Sequence, residues 1–164
     1  MEKIEMDNIV DVNTGEFAVR RGDFILRALA IGSCVVVAAY DSKAKVAGMA
    51  HIMLPGRAPE KSTMKTKYAA DSIEQLLSQM LESGSDTNSI EACLIGAGNV
   101  LKKEDDTICA GNIKSVTAIL AEKNIPVRAR SVGGTIRRSA SLDVELGIVS
   151  CTEGDDKEKQ LWKP

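Results

Sequence analysis

The chain has 164 residues, 44% of them apolar and 27% charged, with a formal net charge of −2; this is enough apolar content for one cored domain and too much for a disordered chain. That charge, with only 3% aromatic residues, offers neither a basic footprint for nucleic acid or an anionic membrane nor a stacking platform for bases. Apolar runs such as Cys34–Tyr40 fall short of the roughly 20 residues a membrane helix needs, and the opening MEKIEMDN lacks a signal-peptide core, so a cytoplasmic protein without membrane insertion is expected.

Four short stretches rich in Val, Ile and Ala come first and read as strands: Glu16–Arg20, Phe24–Ala30, Cys34–Asp41 and Val46–Leu54. Residues 41–45 form the turn between the last two. A polar stretch, Arg57–Lys65, precedes a helical pattern over Thr66–Ser83, where Tyr68, Ala69, Ile73, Leu76, Leu77, Met80 and Leu81 recur at three- and four-residue spacing, with Gly84 as its stop. Ile90–Ile95 reads as a buried strand running into Gly96-Ala97-Gly98-Asn99. That glycine pair lacks the third glycine of a dinucleotide fingerprint and is read as tight turns. A second helix is expected over Ile113–Lys123 with Asn112 as its cap. Val127–Val132, Ser139–Asp143 and Gly147–Cys151 follow as strands, and the charged segment from Thr152 to Pro164 is expected to be a loose tail. The elements alternate too irregularly for a doubly wound parallel sheet, so a single α+β domain over residues 1–151 is the economical reading.

The four cysteines, Cys34, Cys93, Cys109 and Cys151, include no pair at zinc-knuckle or redox-motif spacing, and free thiols are expected. His51 is the only histidine, seventeen positions after Cys34, which ends a Gly32-Ser33-Cys34 turn. A thiol nucleophile needs a base such as imidazole. If the hairpin turn is centred near Lys43, Cys34 falls opposite a residue near 52, within one position of His51, and neighbouring strands lie about 4.8 Å apart. A cysteine in so apolar a run is also the pattern of a small buried hydrophobe, and a lone strand histidine that of a hydrogen-bonded structural residue. Composition and spacing leave both readings open.

At these residues the chain resembles the CheD family, the chemoreceptor glutamine deamidases of prokaryotic chemotaxis. The resemblance is carried by Ile31-Gly32-Ser33-Cys34, Tyr40-Asp41, Gly48-Met49-Ala50-His51 and Met53-Leu54-Pro55. Weaker matches extend it: Lys67-Tyr68-Ala69, Ile95-Gly96-Ala97-Gly98-Asn99, Gly111-Asn112 and Val132-Gly133-Gly134. It implies a layered sandwich of mixed β-sheets with two or three helices, of cysteine-hydrolase kind, and the activity of a protein-glutamine glutaminase that turns receptor glutamine into glutamate and ammonia. By carry-over, Cys34 is the nucleophile and His51 its base; the backbone N–H groups around Ser33 and Cys34, freed by the Gly32-Ser33 turn, are natural oxyanion donors, and no metal or organic cofactor is required.

The resemblance also implies two partners, the methyl-accepting chemoreceptors and a CheC-type phosphatase, whose docking surface Met49, Met53 and Pro55-Gly56-Arg57 would line; core packing is the other reading of the two methionines. Three positions depart from the family pattern. Ala28 stands where a threonine commonly orients the histidine, Ala30 replaces a usual glycine, and Arg137 replaces the glycine before the family's arginine, here Arg138. Since alanine cannot accept a hydrogen bond from imidazole, either a backbone carbonyl or another residue must hold the ring, or the protein is a weak or inactive regulator that binds CheC and receptors. A cysteine hydrolase of another amide or ester is a third reading.

Overall fold

The computed structural model describes residues 8–164; residues 1–7, most of the segment read above as lacking a signal-peptide core, lie outside the described residues. Among the described residues ten strands run in the order β1 (Ile9–Asp11), β2 (Phe17–Arg20), β3 (Ile25–Ile31), β4 (Val35–Asp41), β5 (Val46–Ile52), β6 (Ile90–Gly96), β7 (Val127–Val132), β8 (Arg138–Asp143), β9 (Val149–Glu153) and β10 (Lys159–Trp162). Helix α1 (Ala69–Glu82) lies between β5 and β6, and α2 (Ile108–Glu122) between β6 and β7. The strands form two five-stranded sheets, ordered β1-β3-β8-β9-β10 and β2-β5-β4-β6-β7. Both are mixed, with β1–β3 and β6–β7 parallel and the other pairs antiparallel. The expected α+β sandwich is what the chain forms, with two α-helices among the described residues where two or three helices were expected.

The sequences of β4, VVVAAYD, and β5, VAGMAHI, show no polar alternation because every residue of both strands is buried. That is the pattern of strands covered on both faces. Successive side chains point to opposite faces: Val35, Val37 and Ala39 pack with Ile73, Leu76, Met80, Val116 and Leu120 of the helices. Val36, Ala38 and Tyr40 pack with Leu26, Ile31, Ala140 and Leu142 of the other sheet. Three layers result: helices, the β4-centred sheet, and the β3-centred sheet. Contact between α1 and β5 is close, since a Cβ on Gly48 would come 2.7 Å from Leu76 Cδ1 and 2.9 Å from Met80 Sδ. The β4–β5 turn is fixed by Asp41, whose Oδ1 accepts from the Lys43 and Ala44 N–H groups at 3.0 Å each while Oδ2 accepts from Asp86 N–H at 3.1 Å.

Several boundaries differ from the sequence reading. Helix α1 starts at Ala69 because Lys65–Lys67 form a separate 3₁₀ turn and Tyr68 is extended. The strand expected to reach Leu54 ends at Ile52, where Met53 and Leu54 turn to donate to the Lys67 carbonyl at 2.9 Å. Helix α2 starts five residues early, at Ile108 with Thr107 before it. Asn112 therefore lies inside the helix instead of capping it, since its amide finds partners in other elements. The segment from 152, read as a loose tail from its charge, completes β9 and supplies β10. There Leu161 and Trp162 pack against the second core while the charged residues stay outside.

Candidate functional site

Strand β3 enters the site irregularly. Its pairing with β8 slips between Ala28 and Ile31, and Ala30 sits at φ 54, a left-handed conformation that costs an alanine roughly 1–2 kcal/mol. A glycine at position 30 would adopt it freely. The turn that follows is strapped down through its carbonyls: Gly32 O accepts from Gly98 N–H at 2.9 Å, Cys34 O from Ala97 N–H at 2.7 Å, and Ser33 O from the Asn112 side-chain amide at 2.9 Å. The Gly96-Ala97-Gly98 segment is thus a cradle for the cysteine turn. The N–H groups of Ser33 and Cys34 have no acceptor among the described residues.

Strand pairing brings Cys34 and His51 to one face. His51 lies directly across from Val36, so both point toward the β3-centred sheet, and Cys34, two residues before Val36, shares that face. Continuing the register sets Cys34 across from residue 53, one further than the hairpin arithmetic gave. In that continued register the two would be diagonal neighbours, a relation whose Cα separation is about 7–8 Å and within side-chain reach, and Cys34 packs against the same buried cluster as Val36.

His51 is 3% exposed, and its Nδ1 donates to the Val12 carbonyl at 2.9 Å. A carbonyl can only accept, so Nδ1 carries the proton and Nε2 keeps a free lone pair. The backbone around the ring is pinned as well. His51 N–H donates to Glu16 O at 2.9 Å, Gly15 N–H to His51 O at 2.8 Å, and Val12 N–H to Arg27 O at 2.7 Å. Burial lowers the His51 pKa below its ordinary value, opposed by the Val12 hydrogen bond and the charge of Glu16. Cys34 is half-buried, and burial raises its pKa against a lowering hydrogen bond from Thr14. At neutral pH both groups rest uncharged. The other three thiols are buried, with Cys93 pushed up to about 12 and Cys109 to about 11 mainly by burial.

Beside the turn opens a cleft of about 450 Å³ lined by Gly32, Ser33, Leu101, Cys109, Ile108 and Arg137, among others. Among the described residues no group of three His, Cys, Asp or Glu side chains is arranged to hold a metal ion, and no helix is long and apolar enough to cross a membrane. Of the residues singled out from sequence, Gly32, Ser33 and Cys34 form the turn that leads into β4, and His51 lies next to last on β5, the strand paired with it. Ala28 is buried in the core across from Ala140, and the Val12 carbonyl takes the hydrogen bond its side chain cannot accept. Met49 is fully buried and belongs to the core, so it lines no docking surface, while Met53 is 37% exposed.

Three contributors escaped the sequence reading: Val12, Thr14 and Asn112. Val12 acts through its backbone and leaves no side-chain signal. Asn112 was findable, because Cys109, Asn112, Val116 and Leu120 recur on one buried helical face.

A family model described as CheD chemotactic sensory transduction matches residues 53–153, well over half of the chain. The chain belongs to the CheD family. Among its CheD relatives, the probable chemoreceptor glutamine deamidase CheD of Chlorobium luteolum is 37% identical over 91% of this chain and 75% of its own length. The chemoreceptor glutamine deamidase CheD of Halalkalibacterium halodurans is 32% identical over 95% of this chain and all of its own. That of Thermotoga maritima is 31% identical over 83% and 86%. The CheD family model begins at Met53, just past the Cys34 and His51 segments, whereas these pairwise matches span most of the chain.

Proposed function

We propose that this protein hydrolyses the side-chain amide of particular glutamines on methyl-accepting chemoreceptors, acting in the cytoplasm as a protein-glutamine glutaminase of chemotaxis adaptation. One observation carries the mechanism: Cys34 and His51 share a face, and the Val12 hydrogen bond leaves the His51 Nε2 lone pair free. From the uncharged resting pair, Nε2 takes the thiol proton as Cys34 Sγ attacks the glutamine carbonyl carbon. The developing oxyanion is met by the N–H groups of Ser33 and Cys34, whose carbonyls are all tied back into the protein. The imidazolium returns its proton to the departing nitrogen, ammonia leaves, and a thioester remains. Water, deprotonated by His51, then cleaves the thioester to glutamate and restores the thiol. The mechanism needs no metal or organic cofactor.

The test is mass spectrometry of receptor peptides incubated with the protein, with ammonia measured in parallel. Wild type adds about 1 Da per converted glutamine, and Cys34→Ala or Cys34→Ser, in which no thiolate exists to attack, adds none. Equal conversion by the variants refutes the mechanism. Ala28 motivates a second reading, a regulator without turnover that binds receptors and a CheC-type phosphatase; a folded wild type that leaves receptor mass unchanged supports that reading instead.

A further inference from the structure

We infer that Asn112 is a positioning residue that holds the cysteine turn against the histidine strand. The inference rests on Cys34 and His51 being the reacting pair. The β4–β5 ladder ends at Val35 and Ile52, so backbone pairing stops one residue short of Cys34. Beyond that point the two chains diverge, Ser33 into the turn and Met53 toward the 3₁₀ turn. Asn112, fully buried on α2, bridges the gap: its Nδ2 donates to Ser33 O at 2.9 Å and to Met53 O at 3.1 Å. One amide thus joins the residue before Cys34 to the residue two after His51, using both protons of a single nitrogen.

Packing alone does not account for this side chain. Its Oδ1 is buried with no hydrogen-bond partner among the described residues, a state that disfavours an amide over an apolar residue of equal size. What the amide supplies is the donor pair. The same helix also holds the chain just after β5, where Ser115 Oγ accepts from Gly56 N–H at 2.8 Å. Asn112 does not line the cleft beside the turn, so it offers no contact of its own to a substrate seated there, and its loss acts chiefly on the geometry of the reacting pair, and so on kcat.

The test compares Asn112→Leu, similar in size but without a donor, with Val116→Ala, which opens a cavity one turn along the same buried helix face. Melting temperature, kcat and KM for receptor deamidation, and the pH profile of Cys34 alkylation by iodoacetamide, followed by peptide mass, are measured for each. Asn112→Leu is expected to lower kcat about 10–100-fold at unchanged KM, the scale of a misplacement near 1 Å. It is also expected to erase the acid-side inflection that base assistance by His51 is expected to give the wild-type alkylation profile. Val116→Ala is expected to lower the melting temperature while keeping both. Wild-type kcat and a retained inflection in Asn112→Leu overturn the inference, as does an equal loss of both in the two variants. Should Asn112→Leu not fold, the wild-type NMR signal of the Asn112 side-chain amide decides. Protection from exchange and a shift on Cys34 alkylation support the clamp, and rapid exchange without a shift refutes it. A wild type that releases no ammonia sinks the deamidase reading, while the alkylation profile and the amide signal still judge the clamp.

Discussion

Replacing Gly96 with alanine tests whether the cradle beneath Cys34 sets the reactivity of the site. Gly96 ends β6 across from Val35 at φ +123, a region that residues with a side chain rarely adopt, with strain of about 1–3 kcal/mol. An added Cβ would stand 2.6 Å from Ile31 Cγ2, where ordinary contact begins at 3.4 Å, and closer still to the Cys34 carbonyl oxygen. The turn must then retreat by about 1 Å, a displacement that costs on the order of 100-fold in rate. Strain and overpacking together amount to about 2–6 kcal/mol, or a fall in Tm of about 4–24 °C for a domain of this size. Gly22→Ala separates the two effects, because Gly22 has φ +90 with nothing within 4 Å of an added Cβ. It should lose about 1–2 kcal/mol from backbone strain alone, with kcat unchanged. Ammonia release from receptor at a temperature where both variants are folded, with thermal melts alongside, gives the answer. Full activity in Gly96→Ala, or equal activity losses in the two variants, would refute the reasoning.

Two further outcomes follow from the state of the pair. Because burial lowers the His51 pKa, kcat/KM should fall on the acid side with an inflection below the ordinary 6.5; an inflection above 7 would mean a different base. The same shift makes His51 a source of acid lability: with its folded pKa depressed, its contribution to stability is complete above about 6.5 and lost as pH falls through the lowered value. His51→Gln should flatten that part of a stability profile measured by denaturant titration. Ala28→Thr, at a position 1% exposed, should destabilise by about 1–3 kcal/mol through overpacking and leave kcat no higher, since Nδ1 is already bound; a rise in kcat would show that Val12 holds the ring inadequately.

The residues differ in how far they announce their roles. The β4 and β5 sequences declared strands, though not their burial on both faces, and the α1 periodicity declared its packed side apart from Leu81, which is exposed, because local pattern and tertiary environment largely agree there. The Cys34–His51 relation was legible as hairpin geometry to within one residue: the arithmetic set Cys34 across from a residue near 52, and the β4–β5 register continued by one step sets it across from 53. Asn112 was misread because asparagine prefers helix caps, and only the Ser33 and Met53 carbonyls, distant in sequence, reveal why it sits inside a helix. Strand β10 was hidden by its charged neighbours, since Lys159 and Gln160 face outward while Leu161 and Trp162 reach the core. Val12 could not be read at all, because its contribution is an oxygen every amino acid possesses.

That last point bears on how the segment from Val12 to Glu16 tolerates change. Any residue at position 12 that fits its buried site, now 2% exposed, delivers the same acceptor to His51, so substitution there tests volume and not chemistry. What the ring requires is a chain path of fixed length between the Val12–Arg27 contact and the paired backbones of Glu16 and His51. Inserting or deleting one residue in this short connection would swing the carbonyl off Nδ1 with every side chain of the site intact. The constraint is on spacing, which makes the loop tolerant of different letters and intolerant of a different count.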